Sequence, residues 1–302
     1  MSAPPILFDR ALLRRRLDRA ACGFGAAGFL KARAAEDAVL RLEAIMRSFD
    51  VAVDLGARDG SFARALALSD ARSRIGLLIQ SDLSLAMLAR SGGPRVQLDE
   101  ERLPFRDESL DLVVSSLALH WTNDLPGALV QIRRALRPDG LFIGSLFGGA
   151  TLTELRQSLI QAESELTGGA GARISPFADT PDTAALLQRA GFALPVADID
   201  RVQASYGHPL QLLRDLRAMG EGNVLAVRGP LPRRVLARAC ELYIERFSRP
   251  DGRVTATFEI ITMTGWSPHP DQQQPLRPGS ARMRLADALG VREQSAGEKP
   301  GG

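Results

Sequence analysis

The chain has 302 residues, 45% hydrophobic and 24% charged. That is ample apolar material for a large core, and it excludes collagen, coiled coil and wholesale disorder. No run of about 18 apolar residues occurs, so no transmembrane segment is expected. The net charge is +3, and all but two of the 38 basic residues are arginine, the exceptions being Lys31 and Lys299. They are scattered among 35 acids, a compositional bias rather than the clustered footprint of a nucleic-acid binder.

Residues 1–50 read as a helical lead-in. Leu12, Leu13, Leu17 and Ala20 recur at helical spacing, and 35–49 repeats the pattern. Val51-Ala52-Val53-Asp54-Leu55, stopped by Gly56, then reads as a buried strand. Helices are predicted over 61–68, 84–90 and 124–136. Strands are predicted over 75–79, 95–98, 110–115 and 141–146. This alternation implies right-handed βαβ crossovers and a parallel sheet. After Gly149 the rhythm loosens. Helices are predicted over 151–166, with Thr151 or Thr153 as cap, and over 180–190, 209–219 and 232–247. Strands follow at 196–206 and 254–264, the last β-branched and expected to lie antiparallel at or near an edge. From Pro268 onward Pro, Gly and Gln dominate, so 268–302 reads as a mobile tail. The organisation is therefore a lead-in (1–50), an α/β domain with helical insertions after residue 150 (51–267), and a tail.

Two cysteines, Cys22 and Cys240, form no C-x-x-C and no disulfide framework, which suits a reducing compartment. The N-terminus lacks a signal-peptide apolar core, and Asp9 and Asp18 interrupt its arginine-rich stretch. A cytoplasmic location is expected for a bacterial chain, and the mitochondrial matrix for a eukaryotic one.

The chemistry concentrates between strands and helices. Asp54-Leu55-Gly56-Ala57-Arg58-Asp59-Gly60 is a glycine turn that lets backbone N–H groups face a ligand at a helix N-terminus. Asp82 ends the next strand, where a carboxylate can accept both hydroxyls of a ribose, or can merely cap a helix. His120 and Trp121 follow the fourth strand. They read as a base or hydrogen-bonding group and a wall for an acceptor, or as a strand-end cap and a packing residue. Asn123 and Asp124 suit the cap of the next helix, and Asp124 alternatively a contact to a guanidinium. Tyr206 lines a pocket or packs in the core. There are three histidines, His120, His208 and His269, at no spacing that forms a two-His-one-carboxylate face, so no metal site is expected.

This turn, together with Asp99-Glu100-Glu101-Arg102-Leu103-Pro104-Phe105, Ser109-Leu110-Asp111-Leu112-Val113-Val114-Ser115 and Leu136-Arg137-Pro138-Asp139-Gly140, resembles the class I S-adenosylmethionine-dependent methyltransferases. The resemblance implies a Rossmann-like α/β fold, a seven-stranded mostly parallel sheet with helices on both faces. It implies S-adenosyl-L-methionine as cofactor. Asp54 serves the methionine amino group, and Gly56 and Gly60 allow close backbone approach. Asp82 takes the ribose, Leu83 and Glu100 lie beside the adenine, Asp99 takes its exocyclic amine, and Ser115 and Ser116 sit beside the sulfonium. One departure stands out: Arg58 replaces the central glycine of the turn. It either weakens cofactor binding or pairs with the cofactor carboxylate.

A closer resemblance covers roughly 6–266, with an echo at Gly279-Ser280-Ala281. Its segments include Phe8-Asp9-Arg10, the run from Asp111 through His120-Trp121-Thr122-Asn123-Asp124 to Pro126, Phe142 to Gly149, Arg173-Ile174-Ser175-Pro176-Phe177, and Met219-Gly220-Glu221-Gly222-Asn223. These resemble the complex I assembly factor five family and its bacterial relatives. That family is described as hydroxylating an arginine on a quinone-site subunit of respiratory complex I. The resemblance implies such a partner, with His120, Trp121 and Asp124 near the reacting group and Glu221 a further available carboxylate. The malonyl-carrier-protein methyltransferases are a more distant likeness and imply methylation of a small or carrier-bound carboxylate. A third reading keeps the fold as an assembly chaperone without turnover.

Overall fold

A computed structural model describes residues 6–177 and 180–269, with Asp271 and Gly290. The proposed tail and the Gly279-Ser280-Ala281 echo lie almost wholly outside the described residues. Met1–Pro268 form one compact unit.

The helices of this unit are α1 (Arg10–Ala20), α2 (Phe24–Ala27), α3 (Phe29–Glu43), α4 (Ser61–Ala67), α5 (Leu85–Leu88), α6 (Leu125–Ala135), α7 (Thr153–Thr167), α8 (Thr180–Arg189), α9 (Pro209–Ala218) and α10 (Arg233–Phe247). The strands are β1 (Phe49–Leu55), β2 (Ile75–Asp82), β3 (Arg95–Gln97), β4 (Leu110–Ser116), β5 (Leu136–Phe147), β6 (Ala193–Tyr206) and β7 (Val254–Trp266). They form one seven-stranded sheet in the order β3-β2-β1-β4-β5-β7-β6. The first five strands are mutually parallel, and β7 is antiparallel to both β5 and β6. The strand order reverses beside β1, the crevice where open α/β sheets take their ligands.

Strand alternation builds the two faces. Ala52, Leu112, Val114, Leu141 and Ile143 pack with Ala35, Ala38 and Leu42 of α3 and with Phe62 and Leu66 of α4. Their neighbours Val53, Leu55, Val113, Phe142 and Leu146 face the other way, onto Leu129 and Ile132 of α6 and Leu187 of α8. A further core joins α7, α9 and α10 to β7 through Phe258 and Ile260. Tyr206 belongs to this core rather than to a pocket.

Several boundaries differ from the sequence reading. The helix expected over 35–49 starts earlier and stops at Glu43, and Phe49 instead pairs with Ile75 at the start of β1. Neither Thr151 nor Thr153 caps α7. Leu152 stands at its start with φ 55° and makes no side-chain cap bond. The Thr151 hydroxyl is taken by β7, accepting from Glu259 N at 3.0 Å and donating to Glu259 O at 3.1 Å. The Pro138-Asp139-Gly140 turn is absorbed into β5 as an irregularity, with Asp139 at φ 59° and a register shift against β4.

Candidate functional site

The site is built where β1, β2 and β4 end. Asp54 is the penultimate residue of β1, held between Gln80 of β2 and Val114 of β4. It is fully buried, and neither carboxylate oxygen has a hydrogen-bond partner. Burial pushes its pKa up to about 6, against the opposing pull of Lys31. Beyond it the chain turns into α4 with Gly56 at φ 75° and Gly60 at φ 82°. Both glycines are required by the protein's own packing as well. A Cβ on Gly56 would lie 2.2 Å from Ala118 Cβ, and one on Gly60 2.8 Å from Ser91 Cβ.

Three cations of the chain stand on the acceptors of this site. Lys31, on the inner face of α3, is 4% exposed. It donates to Gly56 O at 2.6 Å and to Ser116 O, so its ammonium bridges the ends of β1 and β4. Burial pushes its pKa down to about 8. Arg58 adopts φ 54°, and its side chain is 2% exposed. Its backbone N–H and its Nη1 both donate to Asp82 Oδ2, at 2.9 and 2.8 Å. Asp82 Oδ1 accepts from Ser84 N at 2.8 Å. Arg10, from α1, donates to Asp99 at 2.6 Å and also to Glu100. Burial pushes the Glu100 carboxyl upward, and Arg10 opposes that shift. Arg58 is thus not an idle departure. It pairs with the acid expected to hold a ribose.

Two expected site residues are placed differently. The Ser115 hydroxyl donates to Leu55 O at 2.8 Å and ties β4 to β1, whereas the buried Ser116 hydroxyl has no partner. Asp124 is exposed and caps α6, accepting from Gly127 N at 2.8 Å. It is spent on the helix rather than on a reacting group. Asn123 clasps the N-terminal segment, its Oδ1 accepting from Leu7 N and Phe8 N at 2.7 Å each. Leu83 is half-buried against the α1 cluster, and its carbonyl accepts from Gln97.

His120 and Trp121 lie in a 3-10 turn, Leu119–Trp121, after β4. Both meet Glu221, about a hundred residues on. Trp121 Nε1 donates to Glu221 Oε2 at 2.9 Å, and His120 Nε2 lies 3.1 Å from the same oxygen. Phe147 packs on the His120 ring at 4.8 Å. Among the described residues no hydrogen bond is made to Glu221 Oε1, and His120 Nδ1 is buried without a partner there. Trp121, Phe147 and Glu221 line a cavity of about 800 Å³ beneath α1, α7 and α9. A hole of about 20 Å³, room for one water, touches Lys31, Arg58, Phe147 and Glu221 and so adjoins both the strand ends and that cavity.

Lys31 and Arg10 were not singled out by the sequence reading. The one available signal for Lys31 is its rarity, one of only two lysines in the chain, set on the apolar face of a helix. Among the described residues no group of three or more His, Cys, Asp or Glu could hold a metal ion.

The residues at the strand ends include the kind of acceptor that S-adenosylmethionine requires. Asp54 offers an unpartnered carboxylate to an ammonium group. Asp82 is engaged by Arg58, and Asp99 and Glu100 are engaged by Arg10.

Comparison with known proteins agrees with this architecture. Residues 53–144 match a methyltransferase-domain family model. The chain is 41% identical to the mitochondrial arginine-hydroxylase NDUFAF5 of Danio rerio, over 93% of this chain and 89% of that protein. It is 33% identical to a malonyl-[acyl-carrier protein] O-methyltransferase of Methylovorus, over 96% of each. Among solved structures, the YcgJ protein of Bacillus subtilis shares the fold, with a TM-score of 0.53 at 15% identity, over 76% of this chain and 97% of that one.

Proposed function

The chain belongs to the family that joins the NDUFAF5 arginine-hydroxylases to the malonyl-[acyl-carrier protein] O-methyltransferases, and on that premise we propose that it modifies an arginine offered by a protein partner. The partner implied by the closer resemblance is a quinone-site subunit of respiratory complex I during its assembly. The bacterial cytoplasm or the mitochondrial matrix is the compartment this reading requires. Among the described residues no helix is long and apolar enough to cross a membrane.

The observation that carries the reading is Glu221. A guanidinium brings five donors and no acceptor, so its host must supply acceptors. Glu221 Oε2 is fixed by Trp121 and His120, which leaves Oε1 to receive an N–H from a guest in the cavity. When His120 donates through Nε2, Nδ1 is a bare acceptor on the same turn. Trp121, itself packed edge-on against Phe8 at 5.4 Å, keeps the carboxylate in register. When bound, S-adenosylmethionine supplies an electrophilic methyl on a sulfonium. The residues that would hold it are Asp54 at the ammonium, Asp82 at the ribose, and Asp99 and Glu100 at the adenine.

A second reading, methyl transfer to a carrier-bound carboxylate, is favoured by the arginines that line the same cavity, because guanidinium is the natural clamp for a carboxylate. Intact-mass analysis of the candidate subunit after incubation with the protein separates the outcomes. With dioxygen and a two-electron reductant supplied in the incubation, gain of one oxygen on the arginine is expected, the second oxygen atom leaving as water. Gain of a methyl group on the subunit, or methyl transfer to malonyl-carrier protein with no effect of a gene deletion on complex I assembly, would reject the arginine-hydroxylation reading. An unmodified subunit that nevertheless needs the protein for assembly would identify a chaperone.

A further inference from the structure

The cavity carries a charge pattern that a bare arginine side chain does not explain. Arg19, Arg214, Arg217 and Arg228 line it and are exposed, so they stand toward its mouth, and Arg16 lies half-buried among them. Among the described residues none of Arg16, Arg19, Arg214 and Arg217 forms an ion pair, and Arg228 reaches Asp9 only at 3.5 Å. Arg173, by contrast, is matched to Glu163. The crowding is physical: burial and the charges of Arg228, Arg19 and Arg217 hold the Arg16 guanidinium below its ordinary pKa, with only Asp9 in opposition. Glu221, the one carboxylate among these lining residues, lies deeper, against buried Trp121 and His120.

A guest arginine approaching Glu221 must therefore pass a mouth of like charge. At physiological ionic strength the Debye length is about 8 Å, so charges around one mouth still act on what enters it. The repulsion becomes attraction when the residues flanking the guest are carboxylates, which exposed guanidiniums receive in a bidentate fork. The volume of about 800 Å³ leaves room beyond one side chain.

Resting on the arginine-guest reading above, we propose that the segment this cavity receives is acidic on both sides of its arginine: Glu221 takes the guanidinium, and Arg16, Arg19, Arg214, Arg217 and Arg228 take the flanking carboxylates. The partner is a protein surface on which one basic side chain projects from an acidic setting.

The test is fluorescence anisotropy of short labelled peptides with the full chain, at low and at physiological ionic strength. Four peptides suffice: arginine flanked by glutamates, by glutamines or by lysines, and glutamates flanking a glutamine. Two to four exposed ion pairs sum to roughly tenfold in affinity, so the glutamate-flanked arginine is expected to bind about tenfold more tightly than the glutamine-flanked one. The lysine-flanked peptide is expected to bind weakest, and the advantage to shrink with salt. The double variant Arg16→Glu/Arg217→Glu should erase the advantage, and Arg16→Lys/Arg217→Lys should keep it, each checked for folding by its thermal transition. Equal binding of glutamate- and glutamine-flanked arginine, or an advantage that survives charge reversal in a folded variant, overturns the acidic segment. Equal binding of the two glutamate-flanked peptides supports the acidic flanks and overturns the arginine guest, so the two failures are distinct.

Discussion

Arg58 holds a left-handed backbone conformation that costs a non-glycine residue of the order of 1 kcal/mol, and it buries a guanidinium to do so. A buried ion pair is about neutral against an apolar alternative, whereas removing one partner strands the other at roughly 3–5 kcal/mol. The two halves of the pair are unequal in this respect. Without the Arg58 side chain, Asp82 keeps two backbone N–H donors, but without the Asp82 carboxylate the Arg58 Nη1 loses the one partner it has. Arg58→Gly is therefore expected to bind S-adenosylmethionine as tightly as the native chain or more tightly, since no guanidinium has to leave. Calorimetry checks this, and a weakening beyond about 1.4 kcal/mol, tenfold in affinity, would make Arg58 a ligand instead. The role of Asp82 is best read in the Arg58→Gly background, where Asp82→Ala should weaken binding by roughly 1.5–3 kcal/mol. Unchanged affinity there would leave Asp82 a turn and cap residue only.

Lys31 makes a different residue-scale claim, on stability. Its folded pKa of about 8 lies below the ordinary 10.5. Below the lower value both folded and unfolded chains carry the proton. Between the two values the unfolded chain retains a proton that the folded chain has released, so stability rises with pH across that window. The native chain is expected to gain roughly 1–2 kcal/mol between pH 8 and 10 that Lys31→Met does not, as read from urea unfolding. Parallel slopes for the two proteins would contradict the burial of a charged Lys31.

At the scale of elements, local chemistry predicts well where the partner is near in sequence. Asp124, read as a cap from the sequence, caps α6 by accepting from the N–H three residues on, and Asp9 and Ser84 cap α1 and α5 in the same way. Asp124→Ala should cost about 1 kcal/mol of unfolding free energy, the usual worth of such a cap. It should leave affinity for an arginine peptide unchanged, and a drop in that affinity would return Asp124 to the guest site. The failures at this scale have one cause. Thr151 looks like a cap until β7 lies beside it and takes its hydroxyl, and Phe49 fits a helical period until β2 offers it a strand partner. Contacts between segments override a local preference worth a fraction of a kcal/mol.

At the scale of the whole molecule, the parallel half of the sheet was legible because its central strands β1, β4 and β5 are largely buried and read as short apolar runs between helical stretches. Their alternation with helices then admits few topologies, and in the strand order adopted the ligand crevice falls at the ends of β1 and β4. Of the acids expected around a nucleoside, Asp82 is legible from its place at the close of β2, whereas Asp54 near the end of β1 and Asp99 and Glu100 just after β3 take their expected roles from the family resemblance. What stands opposite those acids was settled only by tertiary packing. Lys31 and Arg10 come from lead-in helices, and Glu221 comes from a loop about a hundred residues beyond His120. Nothing in the spacing of a chain says which distant cation will neutralise which buried carboxylate. That choice follows from the faces the helices bury, and it decides both the internal pairing at the crevice and the positive mouth of the cavity beside it.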